Sequence, residues 1–200
     1  MFRAAAVGGV LAVCLFASPA AAEPFENFVK LCINTKVDGA TSAALAKADG
    51  WVPLPPETLG EEPMFEDPRI FLSQDPAGFT DKPPTELDLL MTGWGSGEDV
   101  FGLGGVKLDF CAIAPVIGEK GDFIAQLGAF LAIEPMQVQE HTAWVFSPQG
   151  AGFISRPDLL DDDSEAEFLR VVREEKVFLA TVVESDGTEM LLIGAIRPAD

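Results

Sequence analysis

A chain of 200 residues with 32 Asp and Glu against 13 Lys and Arg carries a formal net charge of −19 at neutral pH. Such acidity argues against nucleic acid and anionic lipid as partners, because each phosphate contact needs a cation that is scarce here. Fifteen Phe leave ample apolar side chain for one core, while the absence of Tyr and a single His withhold common catalytic acids and bases and the usual His-rich metal sites.

The chain begins Met1-Phe2-Arg3, continues with an apolar run from Ala4 to Ala17, and reaches Ala20-Ala21-Ala22 before Glu23. A positive start, a short apolar region and an A-x-A site predict a signal peptide over residues 1–22, with cleavage near Ala22. The run falls short of the ~20 residues that cross a bilayer, and no later stretch qualifies, so no transmembrane segment is expected in the mature chain. A lipobox at Leu11-Ala12-Val13-Cys14 is opposed by the bulk of Val13 and by the apolar residues beyond Cys14. Removing the leader takes Cys14 with it and leaves Cys32 and Cys111 in the periplasm or outside the cell. Two thiols in an oxidising compartment are expected to form a structural disulfide. Neither belongs to a CxxC pair, so redox work and zinc ligation lack their spacing.

Pro24 suits a helix start, and Phe25, Phe28, Val29, Cys32 and Ile33 recur at helical spacing, which puts Cys32 on a buried face. Asp38 or Thr41 caps a second, alanine-rich helix that ends at Gly50, with Trp51 turning into the core. Residues 53–86 hold many prolines and are expected to be extended coil and turns, with a short edge strand at Arg69 to Ser73. Strands follow at Leu87 to Thr92 and Val106 to Ala114, joined through the glycine-rich Gly93-Trp94-Gly95-Ser96-Gly97 read as a turn.

A third helix opens at Gly121-Asp122 with Phe123, Ile124, Leu127, Phe130 and Leu131 as its apolar stripe. It carries no charge on any face, which predicts burial on most sides. Thr142 to Phe146 and Ala151 to Ser155 read as a hairpin around Ser147-Pro148-Gln149-Gly150. Ser164 and Glu167 have capping-box spacing for a helix that runs to about Lys176 and turns Phe168, Leu169, Val171 and Val172 inward. Val177 to Glu184 and Thr188 to Ile196 make a second hairpin, apolar enough to be central and covered on both sides. The expected fold class is therefore α+β: a single domain over residues 23–200, with a mostly antiparallel sheet and helices packed on it, those from the two chain ends on one face.

Candidate chemistry is sparse. His141 stands at a strand start without an adjacent nucleophile and carboxylate, and Ser96 lacks the glycines two before and two after that a nucleophile elbow needs. Gly102-Leu103-Gly104-Gly105 has no following helix or phosphate-binding lysine. Trp94, in the glycine-rich stretch, is the aromatic most open to a ligand role. Asp161, Asp162 and Asp163 are contiguous rather than alternating, without the glycine of a calcium loop, and read as acids at a helix N-terminus. No catalytic residue, metal site or cofactor is expected.

The leader, Phe25-x-x-Phe28-x-x-x-Cys32, the alanine-rich helix ending in Gly50-Trp51, and Cys111-Ala112-Ile113 together resemble a group of uncharacterised secreted proteins of Gram-negative bacteria. The resemblance implies a periplasmic protein with paired cysteines and brings no catalytic residues. The function expected is that of a non-enzymatic periplasmic or secreted accessory domain, binding a partner protein or a small apolar ligand. The competing expectation is a small secreted hydrolase that joins His141 to a serine such as Ser96 and a nearby carboxylate.

Overall fold

The structure is a computed structural model and describes residues 24–59, 65–80, 84–98, 104–118, 121–138, 141–160, 165–185 and 188–199. Helix α1 spans Pro24–Phe28 and widens into a π-helical turn over Val29–Ile33, closed by Asn34 N–H donating to the Val29 carbonyl at 2.9 Å. The wider turn brings Leu31 inward with Phe28, Cys32 and Ile33, while Phe25 and Val29 of the expected stripe are only half-buried. Helix α2, Gly39–Ala48, is capped by Asp38, whose Oδ1 accepts from Thr41 N–H at 2.7 Å. Gly50 takes the left-handed conformation at φ 87°, and the Trp51 N–H returns to the Ala46 carbonyl, turning the buried indole inward.

Among the described residues, nine antiparallel strands form one sheet: β1 Val52–Leu54, β2 Glu66–Leu72, β3 Leu87–Ser96, β4 Val106–Ile117, β5 Met136–Val138, β6 His141–Gln149, β7 Gly152–Ser155, β8 Val177–Ser185 and β9 Thr188–Pro198. Their order is β1-β2-β3-β4-β9-β8-β6-β5, with β7 also on β6. The apolar pair β8 and β9 is central, as its composition demands.

The proline-rich stretch is a correction to the expectation of coil. It supplies β1 and β2, and the expected edge strand at Arg69 is the second strand in, because β1 lies outside it. Prolines are accommodated where a ladder tolerates a missing donor: Pro53 in the terminal strand, and Pro68 at the register shift between Glu66 and Arg69. Gly93 to Ser96 likewise continue β3 rather than turn, since Phe110 on β4 lies over Gly93. A Cβ there would meet Phe110 Cε1 at 2.8 Å and the Glu66 carbonyl at 2.9 Å.

Helices α3, Phe123–Leu131, and α4, Glu165–Glu174, cover opposite faces of the sheet. On one face Phe123, Leu127 and Leu131 join Trp144, Phe146, Phe178 and Ala180, in a core shared with α1 and α2. On the other, Phe168, Val171 and Val172 meet Ala143, Val145, Val177 and Leu179. The expectation that the helices of both chain ends share one face is thus overturned. Two adjacent central strands with apolar side chains in both directions need cover twice.

Candidate functional site

Cys32 on the π-helical turn and Cys111 on β4 are bridged, with their Cα atoms 5.4 Å apart and both residues fully buried. The bridge fixes the first helix to the middle of the sheet and presents no sulfur to solvent. A second tie, invisible in composition, lies one turn earlier: Asn27 Nδ2 donates to Asp88 Oδ2 at 2.7 Å beneath α1. Burial pushes the Asp88 carboxyl above its ordinary value, and the Asn27 hydrogen bond opposes that rise. The alternation Asp88, Leu90, Thr92 along β3 carried the signal that Asp88 faces inward.

The proposed hydrolase residues are not brought together. Ser96 is on β3 opposite Lys107 of β4, whereas His141 is exposed at the start of β6 opposite Val138. Strands β4, β9 and β8 stand between β3 and β6, so four interstrand steps put the two residues on the order of 20 Å apart. Asp161, Asp162 and Asp163, and Gly102 and Leu103, lie outside the described residues. Among the described residues, no three His, Cys, Asp or Glu side chains gather as metal ligands. No described helix is long and apolar enough to cross a membrane.

Trp94 is half-buried, with Lys107 Nζ 5.0 Å and Arg197 Cζ 5.8 Å from its ring. The two cations already occupy the ring, which explains the aromatic without a ligand.

Helix α3 departs most from expectation. It is buried along one stripe only, not on most sides. Ile124 is 45% and Phe130 37% exposed, and Ala125, Ala129 and Ala132 are open to solvent. The helix is capped by Asp122, whose Oδ1 accepts from Ala125 N–H at 3.0 Å, and it stops where Ala132 turns left-handed at φ 53°. Phe130 is held by rings on two other elements, Phe25 of α1 at 6.1 Å and Phe153 of β7 at 6.0 Å between centroids. Rigid aromatic contacts therefore position an uncharged helix whose outer side consists of Ala125, Ala129 and Ala132 with the edges of Ile124 and Phe130. Exposed acids flank it in the chain at its two ends, Asp122 and Glu134. Gly128 lies on Trp144, where a Cβ would make an ordinary contact at 3.7 Å, so the glycine is not demanded by packing.

No protein-family model matches the chain, and comparisons with curated proteins and with solved structures give no match.

Proposed function

We propose that this protein is a non-enzymatic accessory domain of the periplasm or the extracellular space that docks a partner protein on the outer face of α3. The observation that carries the reading is a helix without one charged side chain, with Ile124 and Phe130 partly exposed, in a chain of net charge −19. A surface helix that only faces water ordinarily carries polar residues on its outer side. Small residues admit close approach of another backbone, and Ile124 and Phe130 supply apolar area to either side. Acids at both ends of the helix favour a partner whose apolar face is rimmed by lysines and arginines. The apolar leader, the buried disulfide and the resemblance to secreted proteins of Gram-negative bacteria support the compartment.

The test is a photocrosslinking residue placed at Ala129 in the secreted protein, with the same residue at Glu174 of α4 as control. A discrete protein adduct at 129, absent at 174 and lost on Ala125→Glu, is the expected result. Equal labelling at both positions, or none at 129, would overturn the reading.

A further inference from the structure

We infer that a cleft at the end of the sheet remote from His141 binds a small multivalent oxyanion, carrying phosphate or carboxylate groups. The cleft has a volume of about 370 Å³ and lies between the turn Lys36–Asp38, the C-terminal end of α4 with Glu175 and Lys176, and the ends of β4 and β9 at Asp109 and Arg197. That size suits a small ligand. The site is separate from the outer face of α3 and does not depend on the docking proposed there.

The argument rests on which charges are already committed. Among the described residues, Lys30, Arg69, Arg156, Arg170 and Arg197 each hold a carboxylate, and Lys47 and Lys107 each lie over an aromatic ring. Of the described lysines and arginines, Lys36, Arg173 and Lys176 alone have neither kind of partner, and all three line this cleft. The acids of the same cleft are engaged. Asp38 caps α2, Asp109 accepts from Arg197 Nε at 3.0 Å, Glu174 pairs with Arg170 and Glu175 with Arg156, both at 2.6 Å. Lys176 feels the charge of Asp38 without forming an ion pair with it. Arg197 engages Asp109 through Nε, and its terminal amino groups make no hydrogen bond among the described residues. In a chain with far more carboxylates than cations, three unmatched cations on one concave surface leave a place for anionic oxygens from outside the chain.

The backbone that carries Lys36 is held in an unusual conformation. Lys36 and Val37 are consecutive left-handed residues, at φ 57° and 62°, and for a β-branched valine this is a strained position. Hydrogen bonds from Lys36 N–H to the Ile33 carbonyl and from Val37 N–H to the Cys32 carbonyl, with Val37 buried, hold the turn in place. Through Cys32 the turn is fixed to β4, so Lys36 is set opposite the end of α4 before a ligand arrives. Strained residues of this kind cluster at ligand sites.

Arg197 links the cleft to an optical reporter, because its guanidinium lies over half-buried Trp94 while Trp51 and Trp144 are buried elsewhere. The experiment uses the mature disulfide-bonded protein with pyrophosphate and citrate as probes, at constant ionic strength set with sodium chloride, read by thermal melting and tryptophan emission. At saturation either probe should raise Tm by about 5 °C or more, with a change in emission that Trp94→Phe removes. A response to pyrophosphate alone assigns phosphate, to citrate alone carboxylate, and to both the oxyanion charge they share. The variant Lys36→Ala/Arg173→Ala/Lys176→Ala, altered only at exposed positions, should keep its ligand-free Tm and lose both signals. The single change Lys176→Gln should weaken binding about tenfold, the scale of one lost charge-assisted hydrogen bond. Melting shifts no larger than those of matched chloride, or shifts that survive in the triple variant, would overturn the inference. Ala129→Glu should leave the anion response unchanged, which separates this site from the α3 face.

Discussion

Helices α3 and α4 do the same work inside the molecule and opposite work outside it. Each buries three apolar side chains against one face of the sheet: Phe123, Leu127 and Leu131 in one case, Phe168, Val171 and Val172 in the other. The outer side of α4 is a charged lattice in which Arg170 bonds Glu167 and Glu174 one turn either way, and this pairing holds the Glu167 carboxyl below its ordinary value. The outer side of α3 has no such groups. Since the inner stripes satisfy the sheet equally, folding does not account for the apolar exterior of α3. That exterior is where a reading of function starts.

The largest expected effect tests what holds the α3 side together. That face also carries α1, and the disulfide closes a loop between residues 79 apart in sequence. Replacing Cys32 and Cys111 by serine should lower stability by about 4 to 5 kcal/mol on the chain-entropy model, or more than ~10 °C in Tm for a domain of this length. Chemical denaturation of the oxidised protein and the double variant measures it. A loss below ~1 kcal/mol would mean that noncovalent packing already fixes α1 to β4.

Next in size are the inner stripes. Leu127→Ala in α3 and Phe168→Ala in α4 should each cost about 3 kcal/mol, because both remove a well-packed side chain from a core and leave a cavity. Similar losses would support the equivalence of the two helices inside the molecule. A much smaller loss at Leu127 would place α3 loosely on the sheet and weaken its use as a rigid docking face.

Much of this arrangement was legible in the residues. Local signals worked where one residue decides a conformation: Asp38 as cap, Gly50 and Trp51 as helix exit, the inward set on α4, and the pairing of Cys32 with Cys111 once the compartment is inferred. They failed where the partner is distant in sequence. Gly93 looks like a turn until Phe110 is placed over it, and Pro53 and Pro68 look incompatible with strands until the sheet edge and the bulge are known. For α3 the residues were read correctly and the burial was not, since an uncharged helix is equally consistent with a core and with an interface. The cation cleft was illegible for the same reason as Gly93, because Lys36 and Lys176 meet only after the sheet brings both chain ends together.

A smaller effect separates the α3 side from the α4 side by pH. Burial raises the Asp88 carboxyl above its ordinary value, so as pH falls the folded chain takes up this proton before the unfolded chain does. The contribution of Asp88 to stability therefore increases on acidification from above its raised value toward 3.8, and is weakest when the buried group is fully ionised. Comparing Tm between pH 7 and pH 4.5, the wild type should gain relative to Asp88→Asn. Parallel profiles would remove burial of that charge as a factor under α1.

The smallest stability effects are expected on the outer faces, and there the two helices are told apart. Ala129→Glu adds a charge to a solvent-exposed position and should change stability by no more than about 0.5 kcal/mol. Arg170→Ala releases two exposed ion pairs of α4 and should lower Tm only marginally, with the difference vanishing at high salt. Had α3 been buried on most sides, a glutamate at 129 would unfold the protein, and any loss of partner would be uninterpretable. With Ala125 and Ala129 both open, a glutamate at either leaves the fold intact, so a crosslink from position 129 that is lost in Ala125→Glu and kept in Arg170→Ala reports on docking alone. A large drop in Tm for Ala129→Glu would return α3 to the core and remove the proposed surface with it.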